Sequence, residues 1–323
     1  MKKFMLLLLL LFAGQALAQN DSYLHLNKMI AKLEKNLVVT GIWVSALHPS
    51  NAIGIIESNG FPGPEEALTR PMIDFILIDM EHQPYDIVGL RNFLLALNSK
   101  REVAIKGNLQ PNLVTLVRIP GEGDQPVHAM IKQVLDVGVH GVVVPHVRSA
   151  RQAEKIVSAC RYPQPGDSAY PTPAGTRGAS PWLASYLWGL SLKEYVARAD
   201  LWPLNPEGDL LAVIMIEDAE GVANLEDILK VKGIGAVIFG PYDYSFSCGH
   251  PGETAHPQVL QAWDKVKRIC DRNDVPLIGF ATPANIGEKL AENYRILLIG
   301  HDVRNNGSIP EILDAIAKEK LQK

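Results

Sequence analysis

The sequence predicts an α/β protein built as one (β/α)8 barrel, the TIM-barrel architecture. Short β-rich runs recur eight times along the 323 residues, and stretches with helical periodicity lie between them. Most of these runs are continuously apolar, which is typical of parallel strands covered on both faces. Eight strand–helix units in about 250–300 residues are what such a barrel requires. A doubly wound sheet is the main rival, but no glycine-rich dinucleotide fingerprint follows the first run.

The predicted elements follow one another in a regular order. Strands are expected at 38–44, 75–79, 113–119, 141–145, 211–217, 236–240, 275–280 and 295–300. Helices are expected at 20–37, before the first strand, and at 87–97, 129–137, 150–159, 225–231, 257–273 and 309–318. Three segments rich in Pro and Gly or otherwise irregular, 59–71, 98–112 and 161–181, are expected to be surface loops within a single domain, because the strand rhythm continues across each.

The first eighteen residues have the layout of a secretory signal peptide. Lys2 and Lys3 precede an apolar run, and a small-x-small end follows at 16–18. That run is too short for a permanent membrane helix, which needs about 20 apolar residues. We therefore expect a signal peptide at 1–18, one barrel domain at 19–323, and export to a bacterial periplasm.

Composition and charge narrow the function classes. The chain is 47% hydrophobic and 20% charged, with a formal net charge of −4, which excludes a disordered chain and makes a nucleic-acid partner a poor fit. Its three cysteines, Cys160, Cys248 and Cys270, match no zinc spacing. One pair could form a disulfide after export, although buried free thiols suit their positions better.

Polar side chains concentrate where the predicted strands end, and in this architecture the chemistry lies at those carboxyl ends. The second strand runs into Asp79, Met80, Glu81 and His82, and the third ends at Arg118. The remaining strand-end groups are His146, Glu217, Asp218, Asp243, His301 and Asp302. Acids, a cation and imidazoles are therefore expected on one rim.

Glu217 and Asp243 follow neighbouring strands. Two carboxylates there make a hard oxygen site that suits Mg²⁺ or Mn²⁺. The alternative is an ordinary strand-end cap or a salt-bridged pair.

Arg118 and His82 are candidates for the chemistry itself. A guanidinium can grip a carboxylate or stabilise an oxyanion, but it can also form a structural ion pair with the rim acids. His82 lies three residues after Asp79, and a nearby carboxylate can orient an imidazole as a general base, although a lone histidine is commonly only a surface residue. His146 and His301 are second-tier candidates. Five other histidines show no metal-ligand spacing: His48, His128, His140, His250 and His256.

Six segments together resemble the HpcH/HpaI aldolase family, the metal-dependent class II pyruvate aldolases. They are DFILIDMEHQPYD (74–86), LVRIP (116–120), the run at 131–163, GTRGASP (175–181), IEDAEGVANLEDIL (216–229) and the run at 233–253. The segments occur in family order and cover most of residues 36–305. The resemblance implies a barrel of the phosphoenolpyruvate/pyruvate-binding superfamily type, and a homo-oligomer, a hexamer built from dimers.

The resemblance also implies roles for single residues. Glu217 and Asp243 match the metal-ligating carboxylates, and His82 matches the catalytic histidine, with Asp79 in the same motif. Arg118 matches the arginine that contacts the keto-acid oxygens. Two further matches concern the loops: Gly240 and Pro241 correspond to the loop that approaches the pyruvate carboxylate, and Asp124 falls near an aspartate that partners the histidine.

The chain departs from the family in its export signal, in longer loops at 59–71, 98–112 and 164–174, and in its strand-six loop. Met215 stands where many members have Gln, and Tyr242, Tyr244 and Phe246 make that loop more aromatic. These departures leave the aldehyde specificity open.

The expected reaction is reversible aldol cleavage of a 4-hydroxy-2-oxo acid to pyruvate and an aldehyde. In this hypothesis a divalent ion on Glu217 and Asp243 stabilises the enolate, Arg118 adds positive charge, and His82 moves the proton of the C4 hydroxyl. Two other functions remain open: a CoA-ester lyase of the citrate lyase branch, and an exported keto- or sugar-acid binding protein. Lys106 and Lys132 are the lysines to examine for a Schiff-base mechanism.

Overall fold

The chain folds as a closed barrel of eight parallel strands, which confirms the predicted fold class. The structure is a computed structural model that describes residues 24–121, 127–303 and 306–320. Each strand pairs with its sequence neighbours, and the eighth pairs with the first. The strands are β1 Val39–Val44, β2 Phe75–Asp79, β3 Val114–Arg118, β4 Gly141–Val144, β5 Leu211–Ile216, β6 Ile234–Phe239, β7 Leu277–Phe280 and β8 Ile296–His301. All eight predicted strands are present.

The strands are apolar throughout because both of their faces are covered. In β2, Phe75 and Leu77 belong to a cluster that fills the barrel interior, whereas Ile76 and Ile78 pack in the larger cluster between the sheet and the helices. Successive side chains of a strand point to opposite faces, so both faces need apolar residues. This explains why the sequence shows continuous rather than alternating hydrophobicity.

Helices surround the barrel. They are Lys28–Glu34, Pro49–Asn59, Pro64–Thr69, Ile87–Leu97, Lys100–Lys106, Val127–Asp136, Ala150–Cys160, Trp182–Trp188, Leu192–Arg198, Ala219–Ile228, Pro241–Ser247, Pro257–Arg272, Ile286–Ala291 and Ile309–Lys320. The helix expected at 225–231 begins earlier, because the Asp218 side chain accepts the backbone N–H of Gly221 at 2.8 Å and caps its first turn.

Two of the three segments predicted to be loops contain a short helix, so the prediction was wrong for 59–71 and 98–112. Pro64–Thr69 begins with proline at its first turn, and Ser99 caps Lys100–Lys106. The third segment, 161–181, has no helix or strand. It is held by the buried Arg161, which donates to the carbonyls of Pro173 and Tyr170.

A short helix closes the amino-terminal end of the barrel. Met29 and Ile30 of Lys28–Glu34 belong to the interior cluster. On the same helix, Lys28 and Lys32 are buried and pair with the buried Asp74, at 2.9 and 2.5 Å. This end of the barrel is therefore sealed by apolar packing and one buried ion-pair group.

The predicted signal peptide at 1–18 lies outside the described residues. Among the residues that are described, no helix has the length and apolar character needed to cross a membrane. All three cysteines are free thiols, and burial raises the pKa of both Cys160 and Cys270 to about 12.

Candidate active site

The alternation of the strands brings charged groups to the inner face of the carboxyl-end rim. Three interior side chains, one each from β2, β3 and β5, are Leu77, Leu116 and Met215. Two residues further along the same strands come Asp79, Arg118 and Glu217. Because side chains repeat every second residue, these charged groups lie on the same inward side as the apolar residues below them.

Arg118 is held by two acids and an aromatic ring. Its Nε and Nη2 lie 2.9 Å from the two carboxylate oxygens of Asp79, and its Nη1 lies 3.0 Å from Glu81 Oε2. The guanidinium also sits 4.7 Å from the ring centroid of Trp43. These contacts fix the cation in one position at the rim.

Asp79 organises the turn that leaves β2. Its Oδ1 accepts the backbone N–H of Glu81 at 3.1 Å and, at 3.5 Å, that of His82. Burial alone would raise the pKa of Asp79, but hydrogen bonds from Arg118 and its charge lower it below the usual value. Asp79 is therefore an anion that anchors both the arginine and the turn.

Glu217 is a buried carboxylate with few compensating contacts. It is 3% exposed, and its Oε2 accepts the backbone N–H of His146 at 3.0 Å. His146 adopts a left-handed backbone conformation with φ of 53°, which aims that N–H at the acid. Gly240 makes room on the other side, since a Cβ there would lie 2.4 Å from Glu217 Oε1.

The rim has more negative than positive charge around Glu217. Its pKa is raised to about 8, mainly by burial and also by the charges of Glu81 and Asp243, against the opposing effects of the His146 N–H and of Arg118. Burial also raises the pKa of Glu81. One arginine does not neutralise these acids, so the site favours an additional cation.

Asp243 is the second predicted metal ligand. It lies in the first turn of Pro241–Ser247, and within the described residues its carboxylate has no hydrogen bond or ion pair. Two oxygen ligands, an unsatisfied negative charge and the space left by Gly240 fit a hard divalent cation. Glu217 and Asp243 are the residues that would hold it.

Gly240 and Pro241, which were expected to approach the pyruvate carboxylate, connect β6 to the helix Pro241–Ser247. The Gly240 N–H already donates to the Ile216 carbonyl at 3.0 Å, and Pro241, at the first turn of the helix, has no N–H. Neither residue can donate a backbone hydrogen bond to a substrate carboxylate. Gly240 also provides the space that the Glu217 side chain occupies.

His82 lies at the mouth of the site, with its side chain 61% exposed. Its Nε2 is 3.5 Å from Glu81 Oε2, so the acid that faces the imidazole is Glu81, whereas the expected partner Asp79 contacts only its backbone. The sequence could not decide between these acids, because the choice depends on the path of the turn after β2.

The sequence of this chain is similar to those of known proteins. The profile of the HpcH/HpaI aldolase/citrate lyase family matches residues 66–305. The chain belongs to this family. It is 32% identical over 247 residues to the hydroxypyruvate/pyruvate aldolase of Pseudomonas aeruginosa, covering 76% of each chain. It is also 32% identical over 245 residues to the 2-keto-3-deoxy-L-rhamnonate aldolase of Escherichia coli K12, covering 75% of each chain.

A solved structure shows the same fold. The HpcH/HpaI aldolase from Desulfitobacterium hafniense aligns with a TM-score of 0.65 and 23% identity, covering 90% of this chain and 94% of that one. Membership of the HpcH/HpaI family confirms the predicted carbon–carbon lyase class. The family depends on divalent metal ions.

Two residues without an assigned role in the sequence-based prediction, Glu81 and His146, lie at the centre of this HpcH/HpaI site. Glu81 contacts Arg118 and faces His82. His146 stands between two acids, with Nδ1 3.6 Å from Glu217 and Nε2 3.9 Å from Glu81. The position of Glu81 directly before His82, just after the end of β2, could have indicated its role. Nothing in the sequence indicated the backbone conformation of His146.

The other candidate residues lie elsewhere. Asp124 lies outside the described residues. Lys106 pairs with Glu102 at 3.2 Å on a helix, and Lys132 lies within Val127–Asp136, so neither supplies an amine at a strand end. His250 and His256, for which no metal spacing was expected, approach Glu253 so that their ligand atoms lie within 4.8 Å of one another.

Proposed function

We propose that the protein catalyses the reversible aldol cleavage of a 4-hydroxy-2-oxo acid to pyruvate and an aldehyde. The observation that carries this proposal is the buried Glu217, whose pKa the charge of Asp243 helps to raise, on the same rim as the Arg118–Asp79 pair. The HpcH/HpaI family membership and the aldolase names of the relatives support it.

We infer that Glu217 and Asp243 hold Mg²⁺ or Mn²⁺. Carboxylate oxygens without imidazole or thiolate suit these hard ions. When bound, such an ion supplies Lewis-acid stabilisation of the negative charge that develops on the keto oxygen of pyruvate. The raised pKa of Glu217 implies that its proton must leave before the carboxylate can serve as a ligand.

Arg118 would stabilise the same developing charge from a fixed position. Asp79, Glu81 and Trp43 restrain the guanidinium, so no reorganisation is needed when the charge appears. Preorganised charge of this kind is a major source of catalysis. Asp79 acts through Arg118 and is therefore a positioning residue.

His82 would move the proton of the C4 hydroxyl. Its exposed imidazole at the mouth of the site can accept that proton during cleavage and return it during condensation. Glu81, 3.5 Å from Nε2, would stabilise the imidazolium formed on the way. Asp124 remains a proposed partner of the histidine.

We further propose that residues 1–18 direct the chain to the periplasm and that the mature protein forms a homo-oligomer, a hexamer or trimer of dimers. The exposed aromatic side chains of Trp182 and Tyr186, on one helix, are consistent with a protein interface. Mass spectrometry of the periplasmic form should give an amino terminus at Gln19, and light scattering gives the subunit number.

The proposed reaction is tested by condensation. Mature protein with Mg²⁺ or Mn²⁺, pyruvate and a panel of aldehydes should form 4-hydroxy-2-oxo acids, detected by mass spectrometry. Saturable binding of pyruvate without any product would contradict the proposed lyase activity and indicate a binding protein instead.

A further inference from the structure

A register shift turns one histidine of β8 towards the barrel mouth. Gly41 pairs with Leu298 and the next residue, Ile42, pairs with Gly300, so Ile299 is an extra residue in β8. Leu298 faces the interior cluster. Without the shift, Gly300 would also face inward and His301 outward.

The neighbours of Gly300 show the effect of the shift. A Cβ on Gly300 would meet the side chains of Ile309 and Ile42, which pack on the outer side of the sheet. Gly300 therefore faces outward, and His301 faces inward in register with Trp43. Bulges at barrel rims commonly redirect a side chain in this way.

His301 forms a polar pair with Ser45, which follows β1. Its Nε2 lies 3.2 Å from Ser45 Oγ, and both side chains are partly exposed. Its Nδ1 accepts the N–H of Val303 at 3.2 Å and lies 3.0 Å from Asp302 Oδ1. With the ring proton on Nε2, Ser45 keeps its own O–H for another acceptor. With the proton on Nδ1, that nitrogen would face Asp302 and could not accept the Val303 N–H. The Ser45 O–H would then donate to Nε2, and the lone pairs of Oγ would stay available to accept from a ligand.

Asp302 fixes the backbone of this pair. Its carboxylate accepts the N–H groups of Ser45 and Ala46, at 3.1 and 3.0 Å, and the side-chain amide of Asn51 at 2.8 Å. These bonds tie the end of β1 to the end of β8. The position of the Ser45 hydroxyl is thus set by a backbone that these hydrogen bonds hold in place.

The pair lies beside the proposed pyruvate site. Trp43, the register partner of His301, packs against the Arg118 guanidinium at 4.7 Å. A cleavable 4-hydroxy-2-oxo acid extends beyond its pyruvate part, so its aldehyde part needs a neighbouring surface. The Asp302 carboxylate lies 3.0 Å from His301 Nδ1, so this surface is unfavourable for a second carboxylate.

We propose that Ser45 and His301 form the acceptor subsite and bind a hydroxyl group of a neutral hydroxyaldehyde. This subsite proposal rests on the proposed aldolase function and specifies its aldehyde substrate. The preferred acceptors are short aldehydes with a hydroxyl on the carbon next to the carbonyl, and semialdehydes that carry a carboxylate are disfavoured. A hydroxyl offers both a donor and an acceptor, as does the Ser45–His301 pair.

The test compares matched acceptors. Steady-state kcat/KM is measured with pyruvate as donor and with glycolaldehyde, propionaldehyde or succinic semialdehyde as acceptor, for the wild type, Ser45→Ala, His301→Leu and His301→Gln. For Ser45→Ala and His301→Leu, we expect the value with glycolaldehyde to fall about tenfold or more and that with propionaldehyde to fall less than about threefold. His301→Gln retains a donor and an acceptor and should recover part of the loss.

The outcomes separate the two proposals. If the wild type forms no condensation product from pyruvate and any of the tested aldehydes, the aldolase function is contradicted. The subsite proposal, which rests on that function, is then contradicted as well. A wild type that is active but prefers succinic semialdehyde, or variants that lose glycolaldehyde and propionaldehyde activity equally, contradict only the subsite. A selective loss with glycolaldehyde that His301→Gln partly restores supports it.

Discussion

Asp79 and Arg118 are register partners on adjacent strands, and their side chains meet through two contacts of 2.9 Å. This two-point contact needs the planar fork of arginine, which lysine lacks. Arg118→Lys should therefore lower kcat/KM by about 100-fold or more, since a mispositioned cation stabilises the developing charge poorly. Arg148→Lys is the matched control, because Arg148 pairs with Asp218 through its Nε, and we expect a change of less than about threefold. Equal effects of the two substitutions would show that the Arg118 geometry is unimportant.

The two rim histidines should differ in their contribution. His82→Asn removes the proposed acid–base group and should lower kcat by about 100-fold or more, with a smaller change in KM. His146→Asn should lower kcat less than about tenfold, because asparagine tolerates the left-handed backbone and keeps the N–H bond to Glu217. Steady-state kinetics of the two variants with one acceptor decides the assignment. The reverse order of effects would assign the base to His146.

Metal affinity should rise with pH because of Glu217. Its carboxyl holds a proton below a pKa of about 8, and a cation must displace that proton. The affinity for Mn²⁺, measured by competition with a chromophoric chelator, should increase about tenfold per pH unit from pH 6 to 8 and then level off.

The same measurement needs a background without the His250, Glu253 and His256 group, which could hold a second ion. His250→Phe preserves the ring stacking with His256 and removes one of the three potential ligands. In that background, Glu217→Gln should weaken binding and remove the pH dependence. Affinity that stays constant from pH 6 to 8 would contradict the protonated state of Glu217.

The buried ion pairs at the amino-terminal end of the barrel should contribute to the free energy of unfolding and not to catalysis. Asp74 compensates two buried lysines, and it also accepts the Thr40 N–H at 3.0 Å. Asp74→Asn leaves their charges unpaired and should lower the free energy of unfolding by about 3–5 kcal/mol, as measured by urea denaturation. Asp264→Asn breaks only an exposed pair with Arg268 and should change it by less than about 0.5 kcal/mol. Similar values for the two variants would contradict the role assigned to Asp74.

The fold was predictable because its determinants are local in the sequence. Continuous apolar runs identified every strand, and the strand–helix rhythm identified the barrel. The site was only partly predictable. Placing Glu217, Asp243 and Arg118 on one rim follows from strand ends, but the partner of His82 depends on the turn at Asp79. The orientation of His301 depends on an extra residue in β8, which shifts the register between β1 and β8. No sequence pattern predicts this register shift.

The most direct test of the account is the exchange of pyruvate methyl protons in D₂O, followed by proton NMR with Mg²⁺. If Glu217 and Asp243 hold a cation that stabilises the enolate, the wild type should exchange these protons without any aldehyde present. EDTA should abolish the exchange, and so should Glu217→Gln. Exchange that persists at the wild-type rate after both changes would contradict the metal-dependent mechanism.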